Sequence, residues 1–394
     1  MTKSEIQAEI EAIQAQVIAW RRHIHAHPEP SFQEFETMEY VARILTEHGV
    51  SHQKGVAETG IVAIIRADSH PQDMPCVALR ADLDALPIDE QTNHEFKSTR
   101  AGYMHACGHD VHTSILLGVA LVLQRHRNNL PKPIKLIFQP GEEQSPGGAS
   151  LMMAAGVLSN PEVESLVALH VYPEFEVGEI GIKSGLYMAS SDEIHVQIEG
   201  VGGHGALPER CINPIQMGLD WIQSCQALVK ERCPQDVPQV LSFGRFEALG
   251  STNVIPSSAQ IKGTFRTMNE QWRAQVHQLL AEQATEISAR YGAKLDLQIA
   301  KGYPFLQNDE VFTAHVKAVL SDTFGPEHIH ELGLRMTAED FAFYSQQKPV
   351  CFFRLGVGNQ ANGIVHAVHH PQFDVDERSL EVGMLAMASI AFQV

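Results

Sequence analysis

The chain has 394 residues, of which 44% are hydrophobic, and its 29 basic and 47 acidic residues give a formal net charge of −18. This length predicts two substantial cores, the composition argues against disordered and fibrous classes, and the acidic balance argues against nucleic acid or membranes as partners. Six cysteines without framework spacing, and an amino terminus that lacks the apolar block of a signal peptide, predict a cytoplasmic protein with free thiols.

The first half of the chain alternates short β-rich segments with helical periods. The predicted helices are residues 4–27, 33–48, 110–127 and 147–156, and the predicted strands are residues 61–67, 77–81, 134–139 and 165–170. This alternation predicts an α/β fold with a mixed, largely parallel sheet flanked by helices. Such sheets bind ligands at the carboxyl ends of their strands. Asp82 and the pair Glu142 and Glu143 follow predicted strands and His170 ends one, so we expect all four at one rim.

Between residues 187 and 301 the pattern changes. Strand-like segments at 193–198, 239–246, 259–268 and 294–299 are interspersed with helical periods at 213–232 and 270–291. The order β-α-β-β-α-β predicts an α+β module with an antiparallel sheet and two helices. We therefore expect a catalytic domain formed by residues 1–186 and 302–394, interrupted by a lid or dimerisation domain at 187–301.

Two segments of the first half concentrate side chains that bind divalent transition metals. Residues 105–112 read His-Ala-Cys-Gly-His-Asp-Val-His, and residues 139–143 read Gln-Pro-Gly-Glu-Glu. Thiolate, imidazole and carboxylate are all metal ligands, and one of two adjacent carboxylates can bind a metal while the other transfers protons. Taken alone, Cys-x-His more often marks a buried thiol beside a helix cap, and His170 is as often a core histidine. Their joint occurrence at strand ends favours metal-assisted hydrolysis.

The chain resembles the aminoacylase and carboxypeptidase type of dinuclear metallopeptidases, in the branch of hippurate hydrolases and indole-acetyl-amino-acid amidohydrolases. The resemblance covers nearly the whole length and is carried, in order, by residues 22–29, 79–87, 105–110, 138–143, 200–205, 253–256, 263–266 and 369–371. Two positions depart from the family pattern. Gly141 stands where alanine usually precedes the glutamate pair, and His370 stands where a small residue usually follows the last histidine, which leaves His369 and His370 as alternative ligands.

The resemblance implies two divalent metal ions per chain. A site with nitrogen, oxygen and sulfur ligands favours zinc or manganese, with nickel or cobalt as alternatives. The implied ligands are Cys107, His109, Glu143, His170 and His369. Cys107 is implied to bridge the ions, with His109 and His170 at one and Glu143 and His369 at the other. Glu142 is implied to be the general base and acid, which takes a proton from a metal-bridged water and hands it to the leaving amine. Asp82 is expected to orient a ligand histidine from behind.

The resemblance also implies a substrate and an assembly. His204, Asn253 and Arg266 are implied to bind the substrate carboxylate and to stabilise the oxyanion. The implied reaction hydrolyses N-acyl amino acids, hippurate-like or N-acetylated, to a carboxylic acid and a free amino acid. A dipeptidase or exopeptidase of the same family, and a non-catalytic binding protein on this fold, are the alternatives. We expect a homodimer through the inserted domain, with His204 acting in cis or in trans, because an antiparallel edge strand invites two-fold pairing.

Overall fold

The computed structural model describes all 394 residues, which divide into two compact units. The larger unit comprises Met1–Tyr187, Gln307–Gly333 and Asp340–Val394, and the smaller unit comprises Met188–Leu306 and Leu334–Glu339. The smaller unit therefore interrupts the sequence of the larger one twice, once with a long and once with a short segment. The division at residues 187 and 301 stays a prediction about independently folding domains. None of the nine helices combines the length and the apolar character that crossing a lipid bilayer requires.

The bounds of the helices and strands are as follows. The helices are α1 Lys3–Ala26, α2 Phe35–Glu47, α3 His109–Arg125, α4 Gly148–Ala154, α5 Pro214–Arg232, α6 Glu270–Tyr291, α7 Glu310–Phe324, α8 Ala342–Ser345 and α9 Ser379–Ala391. The strands are β1 His52–Val56, β2 Gly60–Ile65, β3 Cys76–Asp82, β4 Ile134–Gln139, β5 Val163–Glu176, β6 Ile180–Ile182, β7 Gly185–Met188, β8 Asp192–Glu199, β9 Gly203–His204, β10 Gln239–Glu247, β11 Val254–Ile255, β12 Ser258–Thr267, β13 Lys294–Lys301, β14 Leu306–Asn308, β15 Ile329–Glu331 and β16 Val350–Gly358.

An eight-stranded sheet forms the centre of the larger unit, in the order β1-β2-β4-β3-β5-β16-β6-β15. The four inner strands β4, β3, β5 and β16 run parallel to one another, whereas β1, β2 and β4 pair in antiparallel fashion. Strands β3, β4 and β16 are buried along their whole length, as a parallel sheet that is covered on both faces requires. The predicted mixed, largely parallel sheet is confirmed.

Helix α3 forms the centre of the helical layer and leads directly into the site described below. It packs against α1 and α9, and 15 of its 17 residues are buried. A helix segment that is buried on nearly every side must be apolar all round, which explains the unbroken run Ile115–Leu123 that follows the first six residues of α3. The start of α3 is therefore held rigidly by the packing of the rest of the helix.

The smaller unit has its own antiparallel sheet and its own core. Its strand order is β10-β12-β8-β13, and every neighbouring pair is antiparallel. Helices α5 and α6 pack together and against this sheet, and their apolar side chains share one hydrophobic cluster with it. The observed order β8-α5-β10-β12-α6-β13 is the predicted one, with β9 and β11 added as a short two-stranded ribbon.

The strand predictions near the site hold with one difference. Strand β4 has the predicted bounds, and β3 begins one residue earlier and ends one residue later than expected. Strand β5, however, continues to Glu176, so His170 lies inside the strand and not at its end, where the sequence pattern had placed it. The pattern missed this because Pro173 and two acidic residues follow His170, and these residue types usually end a strand.

Candidate metal centre and active site

The turn that leads into α3 presents a thiol and an imidazole to the same side. Gly108 separates Cys107 from His109 and has φ +79°, a left-handed conformation that glycine adopts without strain. A Cβ at this position would lie 2.6 Å from a methyl carbon of Val171, so a larger residue would also displace strand β5. The turn therefore requires glycine, and it leaves both Cys107 and His109 buried.

The structure brings the five predicted ligands into two groups of three that share one residue. The ligand atoms within each group lie within 4.8 Å of one another; one group is Cys107, His109 and His170, and the other is Cys107, Glu143 and His369. Three mixed ligands on each side of a common thiol are an arrangement that suits two neighbouring divalent ions. Glu142 forms a further group with His109 and Glu143.

Hydrogen bonds to the far side of two rings fix which nitrogen each histidine presents. His109 Nδ1 donates to the backbone oxygen of Asp84 at 2.8 Å and lies 3.2 Å from the carboxylate of that residue. His170 Nδ1 donates to the backbone oxygen of Val171 at 2.8 Å. Nδ1 is thus the outward donor in both rings, and Nε2 is the nitrogen that faces the site, as in metal-binding histidines. His170 Nε2 lies 3.4 Å from Cys107 Sγ.

Two buried polar atoms in this cluster have no hydrogen-bond partner, and they provide the test of whether a metal fits. His109 Nε2 and Glu143 Oε1 are both buried and unbonded; His369 Nε2 is 3.3 Å from Glu143 Oε1 but not aligned for a hydrogen bond. A buried polar atom without a partner costs about 1 to 3 kcal/mol, so such atoms need an explanation. Divalent cations bound in the two ligand groups, one beside His109 and one beside Glu143, supply an explanation for both atoms. The residues present fit such an ion.

The electrostatics of the cluster lead to the same conclusion. Burial raises the pKa of the Cys107 thiol, and the charges of Glu143 and Glu142 raise it further. Burial lowers the pKa of His109, but the carboxylates of Asp82 and Asp84 outweigh this and raise it to about 10. The site therefore has a strongly negative potential that attracts a cation. A thiol in these surroundings becomes a thiolate only when a cation is bound beside it.

Glu142 and Glu143 follow β4 on one turn but have different neighbours. Glu142 is 7% exposed, and one of its oxygens accepts from the backbone N–H of Asp340 at 3.4 Å. Glu143 instead faces His369 and donates its own backbone N–H to Asp84 at 2.9 Å. The carboxylate of Glu143 thus points to the ligand group of Cys107 and His369, whereas that of Glu142 has a separate backbone partner in Asp340.

Asp82 has different partners from those expected. Its carboxylate accepts from His112 Nδ1 at 2.6 Å and from Arg80 at 2.5 Å, and His112 Nε2 accepts from the backbone N–H of Val171 at 2.9 Å. Although Asp82, His109 and His112 form another close group, both ring nitrogens of His112 are engaged, so His112 has no lone pair for a metal. Asp82 therefore supports a histidine outside the predicted ligand set.

The carboxylate behind His109 belongs to Asp84, which the sequence analysis did not single out. Asp84 is fully buried, accepts from Ser31 Oγ at 2.7 Å, and holds both His109 and the backbone of Glu143. The motif of residues 79–87 did contain a signal, because Asp84 lies only two residues after Asp82, which ends β3. Choosing between two aspartates two residues apart required the position of His109.

Two further histidines in the motifs lie outside the ligand groups. His105 is buried with neither ring nitrogen hydrogen-bonded, and burial lowers its pKa to about 4. His370 stacks on His366 at 4.3 Å between ring centroids and accepts from the backbone N–H of Gln372 at 3.0 Å. The geometry therefore favours His369 over His370 as the residue that faces Glu143.

Of the three predicted substrate-binding residues, all in the smaller unit, the structure brings two together. His204 in β9 pairs with Val254 in β11, and the backbone oxygen of Asn253 accepts from Gly205 at 2.8 Å. His204 Nδ1 accepts from the backbone N–H of Ala206 at 3.1 Å, so the ring proton is on Nε2.

The third of these residues, Arg266, lies in β12 opposite Val240 of β10. Burial lowers the pKa of its guanidinium. A partly buried arginine keeps its charge and its fixed fork of donors, which suits a carboxylate.

Residues 78–393 match the family described as Peptidase family M20/M25/M40. The chain is 38% identical over 347 residues to the N-acyl-L-amino acid amidohydrolase of Geobacillus stearothermophilus, covering 86% of this chain and 92% of that relative. It is 35% identical over 378 residues to the N-acetyl-L-cysteine deacetylase of Bacillus subtilis (strain 168), covering 94% of this chain and 86% of that relative.

A crystal structure from Bacillus subtilis, described as a dinuclear metal binding peptidase from the M20 family, has the same fold. It superposes with a TM-score of 0.81 at 34% sequence identity, covering 97% of this chain and 98% of that chain. The similarity therefore extends over both units of the chain, and it is not limited to the motifs around the candidate metal centre.

Proposed function

Because the chain belongs to peptidase family M20/M25/M40, we propose that it hydrolyses N-acyl amino acids to a carboxylic acid and a free amino acid. The chain is a hydrolase that acts on amide bonds. The observation that carries the proposal is the pair of ligand groups that share Cys107, with Glu142 beside them. Two relatives that are named for the hydrolysis of N-acylated amino acids support this substrate class.

We propose that the five residues Cys107, His109, Glu143, His170 and His369 hold two divalent ions, with Cys107 shared between them. When bound, such ions lower the pKa of water and polarise the scissile carbonyl. A site with nitrogen, oxygen and sulfur donors accepts zinc or manganese, and also nickel or cobalt. The unbonded Nε2 of His109 and Oε1 of Glu143 support this proposal.

Glu142 is the proposed proton carrier. Its carboxylate accepts the proton of the attacking water and returns it to the leaving amine, which must be protonated to depart. The backbone N–H of Asp340 contacts one oxygen of Glu142 at 3.4 Å and helps to orient the carboxylate. A base whose carboxylate is oriented before the reaction loses less entropy in the transition state.

Asp84 and Asp82 are the proposed supports of this machinery. Asp84 keeps Nε2 of His109 directed into the site by accepting from Nδ1 on the other side of the ring. Asp82 fixes His112, whose Nε2 in turn holds the backbone of Val171 next to His170. Removing a partner behind a metal ligand typically lowers metal affinity or rate by about 10- to 100-fold.

We propose further that Arg266 and Asn253 bind the α-carboxylate of the substrate and that His204 donates its Nε2 proton to the oxyanion. A partly buried arginine with a lowered pKa and a histidine whose Nδ1 is already an acceptor are suited to these roles. A buried donor that loses its partner weakens catalysis strongly. Amidating the substrate carboxylate should therefore raise KM or lower kcat severely, and equal rates on an acid and its primary amide would refute these roles.

The substrate class is tested with a panel. Metal-loaded protein is assayed on hippurate, on N-acetyl amino acids and on a dipeptide with a free amino group. The proposal predicts hydrolysis of the first two classes and little hydrolysis of the dipeptide. Preferential cleavage of the dipeptide would favour an exopeptidase, and no turnover on any of the three would favour a binding protein on this fold.

A homodimer formed through the inserted unit, in the cytoplasm, is also proposed. The four-stranded sheet has β10 and β13 as edge strands, and all six cysteines are free thiols. Mixing inactive His204→Ala with inactive Glu142→Gln tests the dimer. If His204 acts in trans, half of the reassociated dimers contain one intact site, and about a quarter of wild-type activity returns. If His204 acts in cis, mixing restores nothing, and a monomeric mass excludes the trans arrangement.

A further inference from the structure

Glu34 is a fully buried glutamate whose side chain has no role in the proposed reaction and does not cap its own helix. It precedes the first residue of α2, yet its side chain makes no capping hydrogen bond there. Another buried glutamate, Glu29, does the capping: it accepts from the backbone N–H of Thr37 at 2.8 Å and of Glu36 at 3.2 Å. The carboxylate of Glu34 is thus engaged elsewhere.

Its partners lie in the turn that contains the two active-site glutamates. Glu34 Oε1 accepts from the backbone N–H of Gly141 at 2.8 Å and from that of Phe32 at 3.0 Å. Glu34 Oε2 accepts from Thr59 Oγ1 at 2.6 Å. Gly141 is the residue immediately before Glu142, so this carboxylate reaches 107 positions along the chain to hold the backbone of the catalytic turn.

A second carboxylate holds the other side of the same turn. Asp84 accepts from the backbone N–H of Glu143 at 2.9 Å and is itself bound by Ser31 Oγ at 2.7 Å. The amides on both sides of Glu142 are therefore fixed by buried acids, and residues 31–34 contribute to both contacts. Burial of an acid is costly without such donors. Burial raises the pKa of Glu34 to about 7, and the charge of Asp84 raises it as well.

We propose that Glu34 is a positioning residue for catalysis, which sets the directions of the Glu142 and Glu143 carboxylates through its hydrogen bond to Gly141. The inference rests on the proposed roles of those two glutamates. A side chain that orients metal ligands or a base from behind typically changes affinity or rate by about 10- to 100-fold when it is removed. Glu34 differs from Asp84 in that it touches no metal ligand.

The experiment compares Glu34→Ala, Glu34→Asp and Glu34→Gln with Glu29→Ala as the matched control. For Glu34→Ala and Glu34→Asp, whose side chains fall short of Gly141, we expect kcat to drop about 10- to 100-fold with a smaller change in KM, and metal retention under a competing chelator to weaken by about tenfold. Glu34→Gln should restore both, because its Oε1 still accepts from Gly141 and its amide can donate to Thr59. Glu29→Ala should lower thermal stability and leave kcat unchanged.

Several outcomes would overturn the inference. Wild-type kcat and metal retention in Glu34→Asp, in a folded protein, would show that the contact with Gly141 is merely structural. Loss of activity in Glu34→Gln equal to that in Glu34→Ala would show that the hydrogen bond is not what matters. Metal retention is measured without substrate, so it still tests Glu34 if wild-type protein hydrolyses none of the substrates, an outcome that would count only against the proposed function.

Discussion

The glycine before the glutamate pair offers a quantitative test of how the catalytic turn is held. Gly141 has φ +61°, and a Cβ there would lie 2.2 Å from Cε1 and 2.4 Å from Cζ of the Phe32 ring. The left-handed backbone costs an alanine about 1 to 2 kcal/mol, and displacing a packed ring costs about 1 to 3 kcal/mol more. We expect Gly141→Ala to lower the free energy of unfolding by about 2 to 5 kcal/mol.

Gly49→Ala is the matched control for this substitution. Gly49 has φ +68°, but a Cβ there would meet no atom within 4 Å, so only the backbone cost of about 1 to 2 kcal/mol applies. Adding Phe32→Ala to Gly141→Ala removes the overlap. The double variant should therefore lose less stability than the sum of the two single losses, by about 1 kcal/mol or more. Urea unfolding followed by circular dichroism measures all four variants, including Phe32→Ala alone.

The same variants are then assayed for turnover. Displacement of a catalytic group by about 1 Å costs on the order of 100-fold in rate, so Gly141→Ala should lose activity while Gly49→Ala keeps it. Equal losses of stability in Gly141→Ala and Gly49→Ala would refute the reasoning, because they would mean that the Phe32 ring moves aside freely and does not constrain the turn.

Three other predictions concern the site. Glu142→Gln should keep its metals and lose at least about 100-fold in kcat, whereas Glu143→Gln should lose metal. Elemental analysis and kinetics measure both effects, and metal loss in Glu142→Gln but not in Glu143→Gln would mean that the two roles are exchanged. Chelation should abolish activity and Cys107→Ala should lose metal as well as rate, so a fully active metal-free preparation contradicts the two-ion mechanism. Burial raises the pKa of Glu34 from its ordinary value of 4.5 to about 7. The folded protein therefore binds this proton more tightly than the unfolded chain, and the contribution of Glu34 to wild-type stability falls as the pH rises between these two values. In urea titrations of metal-free protein, the free energy of unfolding of Glu34→Gln should therefore rise by about 3 kcal/mol relative to that of wild type from pH 4 to pH 8. A difference that stays constant with pH would contradict this.

The sequence alone determined those features that depend on neighbouring residues. The alternation of apolar strands and helices predicted the parallel sheet, and the bounds of β4 came directly from its apolar run between Lys132-Pro133 and Pro140. The change to a β-α-β-β-α-β order marked the inserted segment. Local periodicity carries this information because each strand or helix buries a face that its own residues define.

The motifs also located the chemistry, since their residue types limit what a site can bind. A thiol, imidazoles and paired carboxylates at predicted strand ends indicated a metal site, and the ordered resemblance assigned a role to each. The structure places all five predicted ligands in two groups around Cys107. Their roles as ligands remain a prediction for metal analysis to test.

Only the tertiary structure decided which acid supports which group. Asp82 and Asp84 are two residues apart on one strand end, yet the first bonds to His112 and the second to His109. Glu34 lies 107 positions from the turn that it holds, with no periodic pattern to reveal the link. Sequence patterns report which face of an element is buried, whereas a hydrogen bond depends on the positions of two atoms to within a few tenths of an ångström. Such positions exist only once the sheet, α3 and the loops have packed together.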